Sequence, residues 1–336
     1  MKFRKKLRSL IRENQAFYAF LNYNSATKFL NLLLAECQKT LRSPYLYSSP
    51  YKLIVDTNNV CDLKCIHCPT GKGAFGRPKG FMTFDSYRKI IDEIGKHIYI
   101  VDLFNWGEPL LNKEIYEMIN YAESNNICTN IHSNLNAELD TDSAVRLIQS
   151  GLSYMSVSLD GADQEIYSIY RRKGDFEKAL GNARLLIKTK KRLGKQKPYI
   201  TWQFLVFPHN RHQVDLARQL AHELGFDSFR VLAGVTSDRL ANITQDKADG
   251  ISKMKDIAKT QCDWLWTTAT FHWDGGIGPC CLQFKKADDF GSMPHTGFKG
   301  VWNNDKYKYA RSLFARKRTV VYDGHVICSN CFKVKV

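Results

Sequence analysis

The chain reads as an α/β protein: an open, partial (β/α)6 barrel of TIM-like construction, followed by a small cysteine-rich C-terminal domain. Three observations carry that reading. Between residues 49 and 235, six strand-like runs alternate with helical patterns. The polar, glycine-containing segments come directly after those strands. Beyond about residue 236 the rhythm stops, and five of the ten cysteines fall in that last part of the chain. The expected organisation is a basic helical extension (1–48), the barrel (49–235) and the cysteine-rich domain (236–336).

In the extension, Leu7, Leu10 and Ile11, then Phe17, Phe20 and Leu21, recur at helical spacing. This segment is expected to pack on the barrel; peripheral contact with an anionic membrane is the less favoured reading. The strand runs are 53–56, 99–104, 129–132, 154–159, 200–207 and 229–232. Six strand–helix units in succession require parallel strands with crossover helices, and six fall short of the eight that close a barrel. Thr83 is placed to cap a helix with Asp85 in its first turn, and Asn112 to cap one containing Glu114. Gly151, Gly194 and Gly225 stand where helices end in a left-handed residue. A short helix is expected over 246–259.

Hydrophobic residues make up 44% of the 336, enough for a packed core. No run approaches the roughly 20 apolar residues of a membrane span. The longest, 29–35, is short and contains Asn31. No apolar export segment comes after the basic start, which places the chain in the cytoplasm. The net charge of +16 favours anionic partners such as phosphorylated substrates, nucleic acid or an acidic membrane face. Recognisable RNA- or DNA-binding signatures are missing, so nucleic acid is not favoured. Cys37 and Cys128 stand alone and read as buried small apolar side chains. The other eight cysteines form two groups, a pattern of metal ligation in a reducing compartment.

The first group, Cys61, Cys65 and Cys68, has the spacing CxxxCxxC directly after the first strand. Three thiolates leave one corner of an iron–sulfur cube, or of a tetrahedral zinc, without a protein ligand. An open iron beside a bound sulfonium is what S-adenosylmethionine radical chemistry requires. This loop resembles that of the radical S-adenosylmethionine superfamily. The resemblance implies that Cys61, Cys65 and Cys68 hold a [4Fe–4S] cluster whose unique iron chelates the methionine end of the cofactor, and that a 5′-deoxyadenosyl radical takes a substrate hydrogen. His67, where the family usually has an aromatic residue, would lie near the adenine. Gly107-Glu108-Pro109 resembles the tail of the family's Gly-Gly-Glu-Pro motif, which binds the methionine amino group, with Trp106 in place of the first glycine. The run from Ser156 to Gly161, with Tyr170-Arg171, resembles a further cofactor segment. By that match Ser158 and Asp160 sit at the cofactor, Arg171 pairs with its carboxylate, and Ser133 and Asn134 lie beside the ribose.

The second group is Cys262, Cys280, Cys281, Cys328 and Cys331. It resembles a SPASM domain in its shortened, twitch form, which implies one auxiliary [4Fe–4S] cluster on Cys262, Cys280, Cys328 and Cys331. Cys281 is the alternative to Cys280, and a structural four-cysteine zinc site is the alternative to the cluster. Four protein ligands leave no open iron, so the expected task is electron transfer. Trp264, Trp266, Phe271 and Trp273 are expected to pack around that site, while His132 and His209 fall near strand ends where a proton acceptor could stand. The expected activity is oxidation or modification of a carbohydrate-type substrate, with peptide side-chain modification as the alternative. The partners are then a small molecule or peptide, anionic by the charge argument, and a reductase or a flavodoxin or ferredoxin as electron donor. The competing class is a non-catalytic zinc protein that binds nucleic acid.

Overall fold

The computed structural model describes residues 11–74, 76–234, 262–315 and 320–331. The expected helix over 246–259, and Leu7 and Leu10 of the extension, lie outside the described residues. Nine strands form one sheet in the order β6-β5-β4-β3-β2-β1-β7-β8-β9. The first six are β1 (Lys52–Val55), β2 (Ile100–Asp102), β3 (Cys128–Ser133), β4 (Tyr154–Ser158), β5 (Tyr199–Val206) and β6 (Ser228–Ala233). They pair in parallel, neighbour to neighbour, as the six expected units require.

The helices fall where the caps and periodicities put them. α1 (Gln15–Asn22) and α2 (Ala26–Thr40) precede the barrel. α3 (Phe84–Ile94) starts at Thr83, whose side chain accepts from the Ser86 N–H, and it buries Tyr87, Ile90, Ile91 and Ile94 at helical spacing. α4 (Ile115–Ser124), α5 (Thr141–Gln149), α6 (Gln164–Tyr170), α7 (Phe176–Arg192) and α8 (Val214–Leu224) complete the crossovers. Gly151, Gly194 and Gly225 all have positive φ. Asn112 differs from expectation, because α4 is headed by Glu114. Pro109 opens a 3-10 turn that ends at Asn112, and the Asn112 side chain instead donates to Thr57 O (2.9 Å) and Met82 O (3.0 Å). It thus clamps the loop after β1.

The core lies between the sheet and its helices, with Leu53, Val101, Ile131, Met155, Val157, Ile200 and Trp202 packed under Ile90, Ile119, Leu147 and Leu186. The extension does pack on the barrel, closing the amino ends of the strands through Ala19, Tyr23, Tyr99, Cys128 and Tyr154. Tyr23 Oη lies 2.6 Å from Ser153 Oγ, just before β4. Cys128 is buried as expected, but Cys37 is exposed because it lies on the outward side of α2. Among the described residues no helix is long and apolar enough to cross a membrane.

The C-terminal region does not hang on its cysteines alone. β7 (Thr268–Phe271), buried at all four positions, pairs in parallel with β1, and β8 (Gly276–Gly278) and β9 (Gly291–Ser292) continue antiparallel. α9 (Met293–Trp302) and α10 (Asp305–Ser312) bring Phe298, Trp302 and Tyr307 into the same core. Trp266 and Phe271 are buried there too, with Trp266 Nε1 donating to Ser43 O (2.9 Å). Trp273 Nε1 donates to Pro78 O (3.1 Å), so these aromatics join the C-terminal region to the barrel.

Arg77, its side chain fully buried, forms ion pairs with Asp274 and Asp289 across this junction. Truncating one partner of a buried ion network leaves the remaining charges uncompensated. Arg77→Ala should therefore lower stability by about 3–5 kcal/mol in urea denaturation. A change below about 1 kcal/mol would mean that water replaces the guanidinium.

Candidate active site

The carboxyl ends of β1 to β5 converge on one set of loops, as expected for a barrel of this type. The loop after β1 is folded by its own asparagines. Asn58 Oδ1 accepts from Val60 N (3.0 Å), and Asn58 Nδ2 donates to Glu108 O (2.9 Å). Asn59 bonds Gly80 N (2.9 Å) and Pro78 O (2.8 Å). These bonds present Cys61, Cys65 and Cys68 together, in a small cluster with Leu63, Tyr170 and Phe207. The Cys61 sulfur accepts from Leu63 N (3.4 Å) and Asn134 Nδ2 (3.6 Å). Arg171 Nη1 lies 3.9 Å from Cys65 Sγ. Cys68 heads a single helical turn, Pro69–Lys72. Burial pushes the Cys65 thiol up to about 11, with Arg171 opposing.

Glu108 is 2% exposed. Its carboxylate accepts from Asn134 N (2.8 Å) and Leu110 N (3.1 Å), and Ser133 also bonds to it. Burial outweighs these bonds and pushes the carboxyl up to about 7. Gly107 has no room for a side chain, since a Cβ there would lie 2.1 Å from Asn58 Oδ1 and 2.2 Å from Asn58 O. The backbone can cross the cysteine loop this closely only as glycine.

Asp160 does not face an open space. It is fully buried, and its oxygens accept from Leu205 N (2.7 Å) and Arg171 Nε (2.6 Å). What it orients is Arg171, whose far nitrogen reaches the cysteine loop. The His67 ring stands 5.9 Å from Tyr170 and 5.8 Å from Phe207, in an aromatic slot beside the cysteines. Ser158 is buried at the end of β4. Of the two histidines read as proton acceptors, His132 stacks on Phe104 at 3.8 Å, and burial pushes it down to about 4. His209 stacks on Phe207 at 5.6 Å.

The C-terminal cysteines meet this site across a cavity of about 470 Å³. Cys262, Cys280, Cys328 and Cys331 line one part of it; His67, Pro69, Lys72 and Trp106 line another. Cys281 is not on the lining. Burial, followed by the neighbouring thiols, raises both Cys280 and Cys328. Among the described residues no three His, Cys, Asp or Glu side chains close on a single-ion point. Thiols in one group of three, in the first loop, and one group of four, at the cavity, suit two multi-iron clusters.

Several contributors carried no sequence signal. Asp56 Oδ1 accepts from Trp106 N (2.9 Å), and its other oxygen faces His272 Nδ1 (3.3 Å). His272 then bonds Gln283, which lies close after Cys280 and Cys281. Asn58, by contrast, stands in the asparagine pair just before the first cysteine, where a turn residue is readable.

Glu108 supplies a pH test. Its folded value lies above the usual 4.5, so the fold favours the neutral acid. That contribution is complete below about pH 4.5 and is lost as pH rises through about 7. Glu108→Gln, which cannot ionise, should remove on the order of 3 kcal/mol of pH dependence between about pH 5 and pH 8 in urea denaturation of the metal-free protein. Superimposable profiles for the two proteins would contradict the assignment.

Comparison with known proteins agrees with this geometry. Residues 55–232 match the family model of the radical SAM superfamily, and residues 262–332 match SPASM, an iron–sulfur cluster-binding domain. An AdoMet-dependent heme synthase of Methanosarcina barkeri is 28% identical over 198 residues, 57% of this chain and 51% of that protein. The mycofactocin maturase MftC of Mycolicibacterium smegmatis is 26% identical over 133 residues, 39% of this chain and 33% of that one. The chain thus spans about half or less of the length of these relatives. The structure of Streptococcus suis SuiB bound to S-adenosylmethionine superposes with a TM-score of 0.63 at 17% identity, covering 84% of this chain and 72% of that one. The chain belongs to the radical S-adenosylmethionine superfamily and carries a C-terminal SPASM iron–sulfur domain.

Proposed function

We propose that this enzyme modifies a peptide side chain by hydrogen abstraction, with the division near residue 235 separating a cofactor-cleaving barrel from an electron-accepting domain. The observation that carries the reading is the cavity that His67 and Pro69, on either side of Cys68 in the first cysteine loop, line together with the four C-terminal cysteines. A substrate held there lies against the C-terminal cysteines and against His67 and Pro69 of the first loop. When bound, the reduced cluster and S-adenosylmethionine supply a primary carbon radical able to take a substrate hydrogen.

The chain's own residues do the holding. Cys61, Cys65 and Cys68 ligate three corners of the first cluster. Glu108, steadied by Ser133 and Asn134, receives the methionine ammonium, and a bound cation there returns its buried carboxyl to the charged form. Arg171, fixed by Asp160, offers its remaining donors to the methionine carboxylate, so Asp160 acts through Arg171. His67, between Tyr170 and Phe207, takes the adenine face, and Ser158 borders it. Cys262, Cys280, Cys328 and Cys331 ligate the auxiliary cluster, and Cys281 takes no part in it. Because these four cysteines would fill its ligand positions, a cluster held there would serve to take the one electron left on the substrate radical. With release of a proton to water, the product would have lost two hydrogens. The first electron comes from a reductase, flavodoxin or ferredoxin.

The peptide class replaces carbohydrate as the first choice. The solved structures that the chain resembles include Streptococcus suis SuiB bound to the precursor peptide SuiA, and a maturase stands among its relatives. Lys72 and Lys285 at the cavity favour a peptide that carries an acidic residue.

The test uses anaerobically reconstituted protein, a strong reductant and S-adenosylmethionine. Changing Cys61, Cys65 and Cys68 to Ala should abolish release of 5′-deoxyadenosine. Changing Cys328 and Cys331 to Ala should keep that release, lower iron content by about half, and stop loss of two hydrogens from a candidate peptide in mass spectra. Cys281→Ala should retain all the iron. Full iron content without Cys328 and Cys331 would overturn the assignment of the auxiliary ligands.

A further inference from the structure

Helix α2 is turned the opposite way from an ordinary surface helix. Its buried residues are Lys28, Asn31, Ala35 and Gln38, and the three polar ones are pinned to the body. Lys28 donates to Asn126 O; Asn31 bonds the Ser49 N–H and C=O (2.9 and 3.0 Å); Gln38 accepts from Ser48 N (3.1 Å). On the other side, Leu30, Leu33, Leu34 and Leu41 recur at intervals of three, four and seven, and Leu30 and Leu41 are 65% and 74% exposed. Phe17 and Leu21 of α1 are also exposed, and beyond α2 so are Tyr45 and Tyr47, edge to face at 5.2 Å. A contiguous leucine row in water is unfavourable and marks an interaction surface. The hydrogen bonds on the inner side prevent the helix from rolling to hide it.

Charge selects the occupant. Six of the first twelve residues are cations, Lys2, Arg4, Lys5, Lys6, Arg8 and Arg12, with no acid among the twelve, and the whole chain carries +16. A second copy would carry the same net positive charge and repel. An anionic bilayer suits both the leucine row and the net positive charge of the chain, and tyrosines suit the boundary between lipid and water. At 15 residues α2 is about 22 Å long, which fits a helix lying in the membrane plane. We propose that the outer face of α1 and α2 docks this enzyme on an anionic lipid surface. Because these helices cover the amino ends of the strands, while the cysteine loop lies at the carboxyl ends, the docked enzyme keeps its cavity open to water.

The experiment is co-sedimentation of the full, cluster-loaded chain with vesicles of phosphatidylcholine alone or mixed with phosphatidylglycerol. Wild-type protein should pellet with the mixed vesicles only, and less at high salt. The combined variant Leu30→Ser, Leu33→Ser, Leu34→Ser should lose about tenfold or more in vesicle partition while still releasing 5′-deoxyadenosine. Wild-type protein that stays in the supernatant overturns the proposal, as does a variant that pellets like wild type. A concentration-dependent dimer in light scattering that the variant abolishes would assign the face to self-association instead.

Discussion

One buried polar chain holds the two halves of the site in register. Asp56, at the end of β1, accepts from the Trp106 backbone and faces His272, which comes directly after β7. His272 bonds Gln283, and Gln283 donates to Lys285 O (2.6 Å) and to Asp289 (2.7 Å). Asp289 holds Arg77, and Arg77 holds Asp274. Since Gln283 uses its amide nitrogen on those two acceptors, its oxygen is the atom that meets the histidine. The chain runs from the turn containing Gly107 and Glu108 to the segment that carries Cys280 and Cys281. Removed from water, such a network tolerates no missing member, which makes the junction rigid.

That rigidity explains the glycines of the C-terminal hairpin. A Cβ at Gly278 would lie 2.1 Å from the Gln283 carbonyl oxygen, and one at Gly276 would lie 2.2 Å from an Asp289 oxygen. Side chains there would push the network apart. β7 pairs with β1 at four positions, which ties the cysteine-rich region to the barrel sheet. The cysteine-rich region is in this sense an extension of the barrel sheet.

Much of the fold was readable because the barrel repeats a local rule. The strands are short apolar runs, four of the helices are capped by Thr83, Asp140, Asp163 and Asp175, and Gly151, Gly194 and Gly225 mark left-handed ends. Asn112 misled because its side chain had a better use: two carbonyls from another loop outcompeted the nearby helix end. Cys37 misled because a lone cysteine is usually buried, whereas here it sits on a helix whose polar side faces inward. The orientation of α2 was not legible, since its leucines have the spacing of an ordinary buried stripe.

By itself, the order of residues determined the chemistry: the CxxxCxxC loop and the Gly107-Glu108-Pro109 turn are short-range patterns, complete within a few residues, and the later cysteines form a second group between 262 and 331. Only the tertiary structure decided how they act together. It placed Asp160 behind Arg171, left Cys281 off the cavity, and joined Asp56 to His272 across 216 positions of chain. The physical reason is distance along the polymer. Local propensity and ligand spacing are written in neighbouring residues, whereas burial and hydrogen-bond partnership arise only when remote segments are packed into one core.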